Sequence, residues 1–256
     1  MNRKTICITG AASGIGRAVA LLFAQRNWFV GLYDIAAQPL AELHALIGAE
    51  KSCYAQLDVT DPQSISVAFE QFSQATDGRM DVLFNSAGVL EIGHFEEIRT
   101  QRHQQIIAVN VLGVIQCTHA AFPLLKQTPN ARVINMSSAS AAYGTPDFAS
   151  YSASKFAIRG LTEALNLEWA RHDIAVCDIM PAFVDTPMLR EARHSRSIDV
   201  LGVRLTAEQV AAVVWQAAHG RRVHWPVSRQ FRLLHRLSSF LPSGINRRVI
   251  KRISGY

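Results

Sequence analysis

The pentapeptide Tyr151-Ser152-Ala153-Ser154-Lys155 contains two side chains that can exchange protons. Residues four apart share one face of an α-helix, so the Lys155 ammonium can lie beside the Tyr151 phenol and stabilise its phenolate. Moving a tyrosine pKa from about 10 to neutrality takes roughly 4 kcal/mol, at about 1.36 kcal/mol per pKa unit. One shielded cation can supply much of this free energy. The pair could act as a general base, although the same spacing also arises by chance on helices.

The length and composition indicate one soluble α/β domain. The chain has 256 residues, of which 49% are hydrophobic and 18% charged, values typical of globular proteins with a sizeable core. We expect no apolar run of membrane-spanning length. The apolar stretch Thr5–Thr9 is too short for a signal peptide. We therefore expect a cytoplasmic protein.

Metal and disulfide chemistry are not indicated. The four cysteines, Cys7, Cys53, Cys117 and Cys177, are far apart and include no Cys-x-x-Cys pair, a pattern typical of buried free thiols. The nine histidines form no His-x-x-x-His pair beside a carboxylate. We predict no metal site.

The basic residues are concentrated at the end of the sequence. The net charge is +6, from 26 Lys and Arg against 20 Asp and Glu. Nine of the basic residues and none of the acidic ones follow Glu208, which leaves 17 basic against 20 acidic residues before that point. The positive charge therefore belongs to the last part of the chain.

A glycine-rich turn follows the first predicted strand. The β-branched run Thr5–Thr9 precedes Gly10, Gly14 and Gly16, and an amphipathic run over 18–25 predicts a helix. Glycines let a pyrophosphate approach the N–H groups at a helix start, where the helix dipole favours anions. The spacing Gly-x-x-x-Gly-x-Gly differs from the commoner dinucleotide fingerprint, so these residues alone leave a plain turn open.

Asp34 ends the second predicted strand, Trp28–Tyr33, about 20 residues after the glycine turn. A carboxylate there can accept hydrogen bonds from a ribose 2′-hydroxyl and would repel a 2′-phosphate. Neither Ser13 nor Ile35 supplies a compensating cation. The pattern favours NAD over NADP; the alternative is an exposed aspartate at a strand end without a ligand.

Strands and helices alternate along the rest of the chain. Further strands are predicted over 52–57, 80–85, 131–136, 174–180 and 221–225, and helices over 38–48, 62–75, 96–127, 150–171 and 207–219. This alternation indicates a parallel sheet whose ligand crevice lies at the carboxyl ends of the strands. Asp58, Asn85 and Ser138 fall at such ends. Asn110 lies among apolar residues within a predicted helix, where a polar side chain needs a partner or a purpose.

The last part of the predicted domain contains a polar and basic segment over 187–205, typical of a mobile segment over a site. Thr206 and Gln209 form a predicted capping box for the helix over 207–219. We place the end of the domain at Pro226, which gives a domain over 1–226 and an extension over 227–256.

Several motifs, in this order, resemble those of the short-chain dehydrogenase/reductase family. They are Thr9-Gly10-Ala11-Ala12-Ser13-Gly14-Ile15-Gly16, Asn85-Ser86-Ala87-Gly88, Asn110, Ser138 and Tyr151-x-x-x-Lys155. The likeness spans residues 4–226. It implies a three-layer, doubly wound, Rossmann-type parallel sheet that binds NAD(H) or NADP(H) along the strand ends.

The resemblance also implies roles for single residues. Tyr151 would exchange the proton of the substrate alcohol while hydride moves to or from the nicotinamide. Lys155 would lower the pKa of Tyr151 and bind the nicotinamide ribose, and Ser138 would hold the substrate oxygen. Asn110 would support a water-linked proton path through a helix distortion. Asp58 and Val59 would contact the adenine, and Val184 with Thr186 would hold the carboxamide. The other implied cofactor contacts are Gly10, Ser13, Gly14, Ile15, Gly16, Asp34, Asn85, Ala87, Gly88, Tyr151, Lys155 and Pro181.

Two positions depart from the family's usual motifs. Pro181-Ala182 follows the sixth strand where the family often has Pro-Gly, and Ser86 replaces the second Asn of Asn-Asn-Ala-Gly. The first change can alter the loop on the nicotinamide side. Neither touches the proton-transfer residues.

The extension contains two predicted amphipathic helices, over 228–241 and 245–253. Their apolar faces could pack on the domain with the charges in water. Alternatively, they form a basic surface for peripheral contact with anionic lipid, or one that guides a lipophilic substrate. Nucleic-acid binding is not indicated, because Phe231 and Phe240 fit the apolar face rather than a stacking surface.

The predicted substrate-facing segments, Val89–Phe95, Ala139–Phe148 and Phe183–Leu189, are mostly apolar and small. They favour a hydrophobic secondary alcohol or ketone of steroid, retinoid, fatty or aromatic type. The leading hypothesis is an NAD(H)-dependent oxidoreductase. The alternative is a catalytically idle NAD-binding redox sensor or scaffold, which would have no need of a base. The resemblance implies a homodimer or homotetramer formed through the helices over 96–127 and 150–171.

Overall fold

The computed structural model describes residues 3–193, 195–203, 205–228, 231–232 and 243–256. The strands are β1 (Thr5–Thr9), β2 (Phe29–Asp34), β3 (Ser52–Gln56), β4 (Val82–Asn85), β5 (Arg132–Met136), β6 (Ala175–Met180), β7 (Val184–Asp185), β8 (Leu205–Thr206) and β9 (His224–Pro226). The helices are α1 (Gly14–Gln25), α2 (Ala37–Ile47), α3 (Pro62–Ala75), α4 (Thr100–Ile107), α5 (Val114–Lys126), α6 (Ala149–Glu168), α7 (Pro187–Arg190), α8 (Arg196–Leu201), α9 (Ala207–Ala217) and α10 (Ser243–Ser254).

The central sheet has seven strands in the order β3-β2-β1-β4-β5-β6-β9, and every neighbouring pair is parallel. From β1 the chain winds one way through β2 and β3, and from β4 it winds the other way. The strand order therefore reverses between β1 and β4, the point at which sheets of this kind bind ligands. This doubly wound, Rossmann-type arrangement confirms the predicted fold class.

Both faces of the sheet are covered by helices. On β1, Ile6 and Ile8 pack in one apolar cluster with residues of α1 and α9, while Cys7 packs in the other with residues of α3 and α5. Successive strand residues point to opposite faces, and all five residues of β1 are buried. A strand buried on both sides reads as a continuous apolar run, which explains why β1 is uniformly β-branched or apolar.

The predicted helix over 96–127 is not one regular helix. A 3₁₀ turn (Phe95–Glu97) precedes α4, and a π-helical turn over Ala108–Gly113 separates α4 from α5. The stretch Thr100–Lys126 has 27 residues and is, by length and composition alone, apolar enough to cross a membrane. The expectation that no segment reaches this size was therefore wrong. Contacts of α5 with α3 and β4 account for apolar residues on its inner side.

The segment over 187–205 contains regular structure that its composition did not predict. It includes α7 and α8, and β8 pairs in parallel with β7 in a separate two-stranded sheet. The capping box at α9 is confirmed, since the Thr206 hydroxyl accepts from the Gln209 N–H and the Gln209 side chain accepts from the Thr206 N–H. The chain therefore enters α9 in a fixed orientation.

The extension is described in part. Within it, α10 covers the predicted helix over 245–253 and packs against α8. The other predicted helix, over 228–241, lies largely outside the described residues.

Candidate active site

The glycine turn after β1 fits against the end of β4. Gly10 has a φ of +71°, and a Cβ at this position would lie 2.7 Å from the backbone N and Cα of Ala87. The Thr9 hydroxyl accepts hydrogen bonds from the N–H groups of Ser86 and Ala87, at 3.2 and 3.3 Å. Glycine is therefore required where the two strand ends meet.

The turn leads directly into the N-terminus of α1. A Cβ on Gly16 would overlap the Gly10 carbonyl oxygen. Gly14 has a φ of +50° and faces Thr186, whose Cγ2 would be 3.3 Å from an added Cβ. Ser13 is the N-cap residue, its side chain does not cap the helix, and no acidic residue lies in the first turn. Ile15 is partly buried against the core. Because no side chain caps the helix and no acidic residue lies in its first turn, the N–H groups of that turn can donate to an anion.

Asp34 links the ends of β1 and β2. Its carboxylate accepts hydrogen bonds from the N–H groups of Ala12 and Ala36, both at 3.0 Å. These bonds fix the carboxylate beside the glycine turn, while the neighbouring Ile35 is exposed. A negative charge therefore stands where β2 enters the crevice.

Asp58 and Val59 follow β3 at the same edge. Asp58 accepts hydrogen bonds from the backbone N–H and the hydroxyl of Thr60, at 2.8 and 2.7 Å. Val59 is buried against Gly113, where a Cβ would lie 2.7 Å from the Val59 side chain. The loop after β3 is thereby held against the π-helical turn.

Asn85 is placed differently from the role that the resemblance implied. Its side chain is buried, and its Nδ2 donates to Thr118 Oγ1 and to Asn135 Oδ1, both at 2.9 Å. The amide therefore points into the core between β4, β5 and α5, and does not line the crevice. Ala87 and Gly88, which follow it, lie at the crevice edge beside Gly10 and Asn110.

Asn110 lies in the π-helical turn and is fully buried. Its Oδ1 accepts from the Val89 N–H at 2.8 Å, and its Nδ2 donates to the Val89 carbonyl at 3.0 Å and to Ser154 Oγ at 3.2 Å. The helix distortion that the resemblance implied is present at this residue. It aims the amide at the loop after β4 and at α6, so Asn110 joins two elements of the crevice.

Ser138, Tyr151 and Lys155 meet at the end of β5. Ser138 follows β5, and its hydroxyl accepts from the Ser140 N–H at 3.1 Å. Tyr151 and Lys155 lie in the first two turns of α6, and Lys155 Nζ is 5.4 Å from the centre of the Tyr151 ring. Lys155 Nζ also donates to the Met136 carbonyl at 2.8 Å. The two side chains that the sequence paired are therefore neighbours.

Burial is the largest influence on the acidity of both groups. It raises the pKa of Tyr151 above its ordinary value, while a hydrogen bond with Ser138 acts in the opposite direction. It also lowers the pKa of Lys155 to about 8. The expectation that Lys155 lowers the pKa of Tyr151 is not met by these side chains on their own, because desolvation penalises phenolate and ammonium alike. The neutral phenol, which can donate a proton, is the favoured form.

The loop after β6 completes the crevice edge. The Pro181 carbonyl accepts from the Ala139 N–H at 2.8 Å, so the ends of β5 and β6 are joined. Val184 is buried in β7, and Thr186 is the N-cap residue of α7 beside Gly14. Pro181, Val184 and Thr186 therefore lie on the same side of the sheet as the glycine turn.

Aromatic side chains lie beside Tyr151. The Phe148 ring lies 6.5 Å from the Tyr151 ring and 5.8 Å from the Phe183 ring, measured between centroids. Phe148 is buried, and so is Ile92 in the loop after β4. The reacting end of the crevice therefore has an aromatic wall.

Some residues that shape the site were missed from the sequence. The Thr9 hydroxyl was missed although a polar residue at a strand end beside glycine is a usable signal. Ser154, which accepts from Asn110 and donates to the Tyr151 carbonyl at 2.6 Å, lies within the motif itself. Asp147 and Tyr256 are joined by a hydrogen bond of 2.7 Å across 109 positions, and no local pattern indicates such a pairing.

Comparison with known proteins agrees with this geometry. A family model described as short chain dehydrogenase matches residues 4–197. The chain belongs to the short-chain dehydrogenase/reductase family. As a member of this family it is an oxidoreductase acting on CH–OH groups.

Relatives within the short-chain dehydrogenase/reductase family include enzymes named for different substrates. Cyclohexanol dehydrogenase from Acinetobacter sp. (strain SE19) is 31% identical over 219 residues, which cover 83% of this chain and 86% of the relative. The 3-oxoacyl-[acyl-carrier-protein] reductase FabG of Thermotoga maritima is 34% identical over 193 residues, covering 73% and 77%. A short-chain dehydrogenase/reductase from Burkholderia phymatum, solved in complex with NAD, matches with a TM-score of 0.82 at 26% identity over 92% of each chain.

The described residues fit a nicotinamide dinucleotide, which the short-chain dehydrogenase/reductase fold implies. The glycine turn presents uncapped N–H groups at the start of α1, and Gly10 and Gly16 leave no space for side chains between this turn and β4. Asp34 stands at the end of β2, while Tyr151 and Lys155 stand at the other end of the crevice. Among the described residues there is no group of three or more His, Cys, Asp or Glu that could hold a metal ion.

Proposed function

We propose that this oxidoreductase interconverts a hydrophobic secondary alcohol and its ketone and uses NAD(H) as its cofactor. The observation that carries the proposal is the grouping of Tyr151, Lys155 and Ser138 at the end of β5, beside an aromatic wall. These three residues provide a proton donor or acceptor, a cation beside it, and a hydroxyl that can hold the substrate oxygen. The bound nicotinamide would supply or accept the hydride.

Tyr151 moves the proton in this proposal. In reduction, the neutral phenol that burial favours donates its proton to the ketone oxygen, which Ser138 holds by a hydrogen bond. In oxidation, the phenolate takes the proton of the alcohol, and the Lys155 ammonium next to the ring stabilises that phenolate. Because burial lowers the pKa of Lys155 to about 8, this support is present below about pH 8 and is lost above it.

The substrate class follows from the crevice wall. The half-buried Phe183 ring lies next to Phe148, which packs against Tyr151, and Met188 is exposed on α7. Apolar surface of this kind gains free energy from a substrate at about 25 cal/mol per Å² buried. A cyclic, fatty or aromatic alcohol fits this wall better than a sugar does.

The decisive test is a panel of hydroxysteroids, long-chain alcohols and aromatic alcohols, followed by NADH production. Tyr151→Phe should lower kcat by about 100-fold or more, the usual range for loss of a general acid or base, and should still bind NAD. Tyr54→Phe, on β3, is the matched control. Unchanged turnover in Tyr151→Phe would reject the assigned base. NAD binding without turnover of any compound would favour the idle redox sensor or scaffold.

The preference for NAD is proposed from the fixed position of Asp34. Its carboxylate would repel a 2′-phosphate and accept hydrogen bonds from ribose hydroxyls. Asp34→Asn keeps the shape and removes the charge, so the ratio of kcat/KM for NAD over NADP should fall about tenfold, the effect of roughly 1.4 kcal/mol. Glu42→Gln, an exposed change on α2, should leave the ratio unchanged. An unchanged ratio in Asp34→Asn would place cofactor selection elsewhere.

We also propose a homodimer or homotetramer. Leu112, Ile115, Phe156 and Leu167 are exposed on the π-helical turn, α5 and α6, and large exposed apolar side chains favour association. Light scattering should report a dimer or tetramer, and Phe156→Glu should shift it toward monomer. A monomeric wild-type protein at micromolar concentration would reject this proposal.

For location, we propose a cytoplasmic protein with peripheral contact to anionic membranes through the segment over 228–256. On α10, Arg247, Arg248, Lys251 and Arg252 are exposed, and Ile245 is exposed beside them. Basic residues with exposed apolar neighbours suit an anionic lipid surface. Sedimentation with phosphatidylserine vesicles should fall in an Arg248→Glu/Lys251→Glu variant and stay unchanged in Arg171→Glu. Equal sedimentation with purely zwitterionic vesicles would reject the electrostatic contact.

A further inference from the structure

Asp147 is a junction of several segments at the crevice rim. It lies four residues before Tyr151 and has a left-handed φ of +68°. Its Oδ1 accepts from the Tyr256 phenol at 2.7 Å, and its Oδ2 accepts from the Ser195 hydroxyl at 2.9 Å. Its backbone carbonyl accepts from the Gly93 N–H at 3.0 Å. One residue therefore ties together the loop after β4, the segment before α8 and the residues that follow α10.

Tyr256 adds a second link to the loop after β4. Its oxygen lies 2.8 Å from His94 Nδ1. The phenol has one proton and donates it to Asp147, so in this arrangement His94 Nδ1 is the donor to the phenol oxygen. The Asp147 carboxylate raises the pKa of Tyr256 to about 12. The phenol therefore stays protonated throughout the pH range of ordinary enzyme assays.

The joined segments border a cavity that is lined in part by Asp147, the residue before Phe148. It has a volume of about 430 Å³, and Asp147, Tyr256, Ser195, Arg193 and Arg196 are among the residues that line it. α10 packs against α8 at this place. The segments that form the cavity come from four parts of the chain, so their relative position depends on the bonds at Asp147.

The junction is connected to the proton-transfer residue through one side chain. Phe148 follows Asp147 directly, is the N-cap residue of α6, and is buried. Its ring contacts the rings of both Tyr151 and Phe183. A shift of the backbone at Asp147 would therefore move the wall against which a substrate must lie.

We propose that Asp147 and Tyr256 are positioning residues that hold the segments over 91–97 and 187–201 against the crevice and so set its affinity for substrate. Neither residue takes part in proton transfer. The effect on substrate rests on the proposed function. The effect on the two segments rests only on the contacts given above.

The test uses the full chain with Tyr256→Phe, which keeps the ring and removes the hydroxyl, and Tyr54→Phe on β3 as the matched control. Hydrogen exchange measured by mass spectrometry should become faster over 91–97 and 187–201 in Tyr256→Phe, and stay unchanged in the strands β1 and β4. KM for the best apolar alcohol should rise about fivefold to tenfold, as expected for roughly one net hydrogen bond lost. kcat should change less than about twofold, and NAD binding should be unchanged.

Ser195→Ala gives a second measurement, because it removes the other bond to the Asp147 carboxylate, together with the N-cap bond of α8, and leaves Tyr256 in place. It should raise exchange over 187–201 more than over 91–97. Unchanged exchange and unchanged KM in both variants would overturn the inference. If the protein binds NAD but oxidises no alcohol, the proposed function fails and the exchange data alone decide on the junction. A fall of kcat with KM unchanged would show that Tyr256 acts on the chemical step, which also contradicts the inference.

Discussion

Replacing Asn110 by leucine tests whether the π-helical turn is maintained for the sake of one side chain. Asn110 makes three hydrogen bonds, two with the backbone of Val89 and one with Ser154. Leucine has the same branching of heavy atoms as asparagine, is larger, and can make none of these hydrogen bonds. The substitution therefore leaves the Val89 N–H and carbonyl without their partner in a half-buried loop.

The expected loss of stability can be worked from these bonds. Each backbone group that loses its partner costs about 1–3 kcal/mol when buried. Val89 is only half-buried, so the lower half of that range applies, and the two groups together cost about 2–4 kcal/mol. For a chain of this size, about 1 kcal/mol corresponds to a change of roughly 2–4 °C in melting temperature. Asn110→Leu should therefore melt roughly 5–15 °C lower.

The activity should fall as well, because Val89 lies in the loop after β4 that the proposed function places beside the substrate, and Ser154 donates to the Tyr151 carbonyl. A displacement near the reacting groups costs about 10- to 100-fold in kcat. The measurements are thermal unfolding and steady-state turnover of Asn110→Leu. The control is Asn166→Leu on α6, which removes one bond to the Val176 carbonyl. If Asn110→Leu melts and turns over like the wild type, the π-helical turn does not depend on this amide and the reasoning is refuted.

Two further substitutions test the glycine turn and a buried ion pair. Gly10→Ala forces a Cβ to within 2.7 Å of the Ala87 backbone at a φ of +71°, so it should destabilise the fold by about 2–5 kcal/mol and weaken NAD binding. The control Gly160→Ala, in open space on α6, should stabilise the fold by up to about 1 kcal/mol. Equal urea midpoints for the two variants would contradict the predicted clash at Gly10. His224 bonds Asp178 and Glu163, and the bond to Asp178 raises the pKa of His224. The folded protein therefore binds this proton more tightly than the unfolded chain, so the stabilisation is full below about pH 6.5 and is lost as pH rises through the raised pKa. His224→Gln should flatten the fall in unfolding free energy that begins above about pH 6.5, while His119→Gln, exposed on α5, should keep that fall.

The order of elements and most of the site could be predicted from local patterns. β1 and α3 begin and end at the predicted residues, and the other central strands differ by a few residues at their ends. Such predictions succeed because burial on both faces of the sheet imposes apolar strands, and because turns between strands and helices need glycine or capping residues. Strand ends in a parallel sheet share one edge, so Gly10, Asp34 and Ser138 could be assigned to one crevice before any coordinates were known.

The direction of single side chains could not be predicted in this way. Asn85 lies at the end of a strand, as Asp34 does, yet its side-chain amide points into the core toward Thr118 and Asn135. The interruption of the helix at Asn110 was implied by resemblance and not by its apolar periodicity, since a π-helical turn keeps the composition of a helix. The direction of the Tyr151 pKa shift could not be predicted either, because spacing gives the proximity of Lys155 but not the degree of burial, which raises the pKa of Tyr151.

The sequence by itself determined the alternation of strands and helices, the glycine turn and the pairing of Tyr151 with Lys155, because each depends on residues close together in the chain. Only the tertiary structure decided how deeply that pair is buried and which distant residues support it. Asp147 receives the phenol of Tyr256 and the hydroxyl of Ser195 from positions 109 and 48 residues away. Contacts of this kind depend on how separate helices and loops are brought together over one edge of the sheet. Neither the spacing of residues nor the composition predicts which distant side chains then meet.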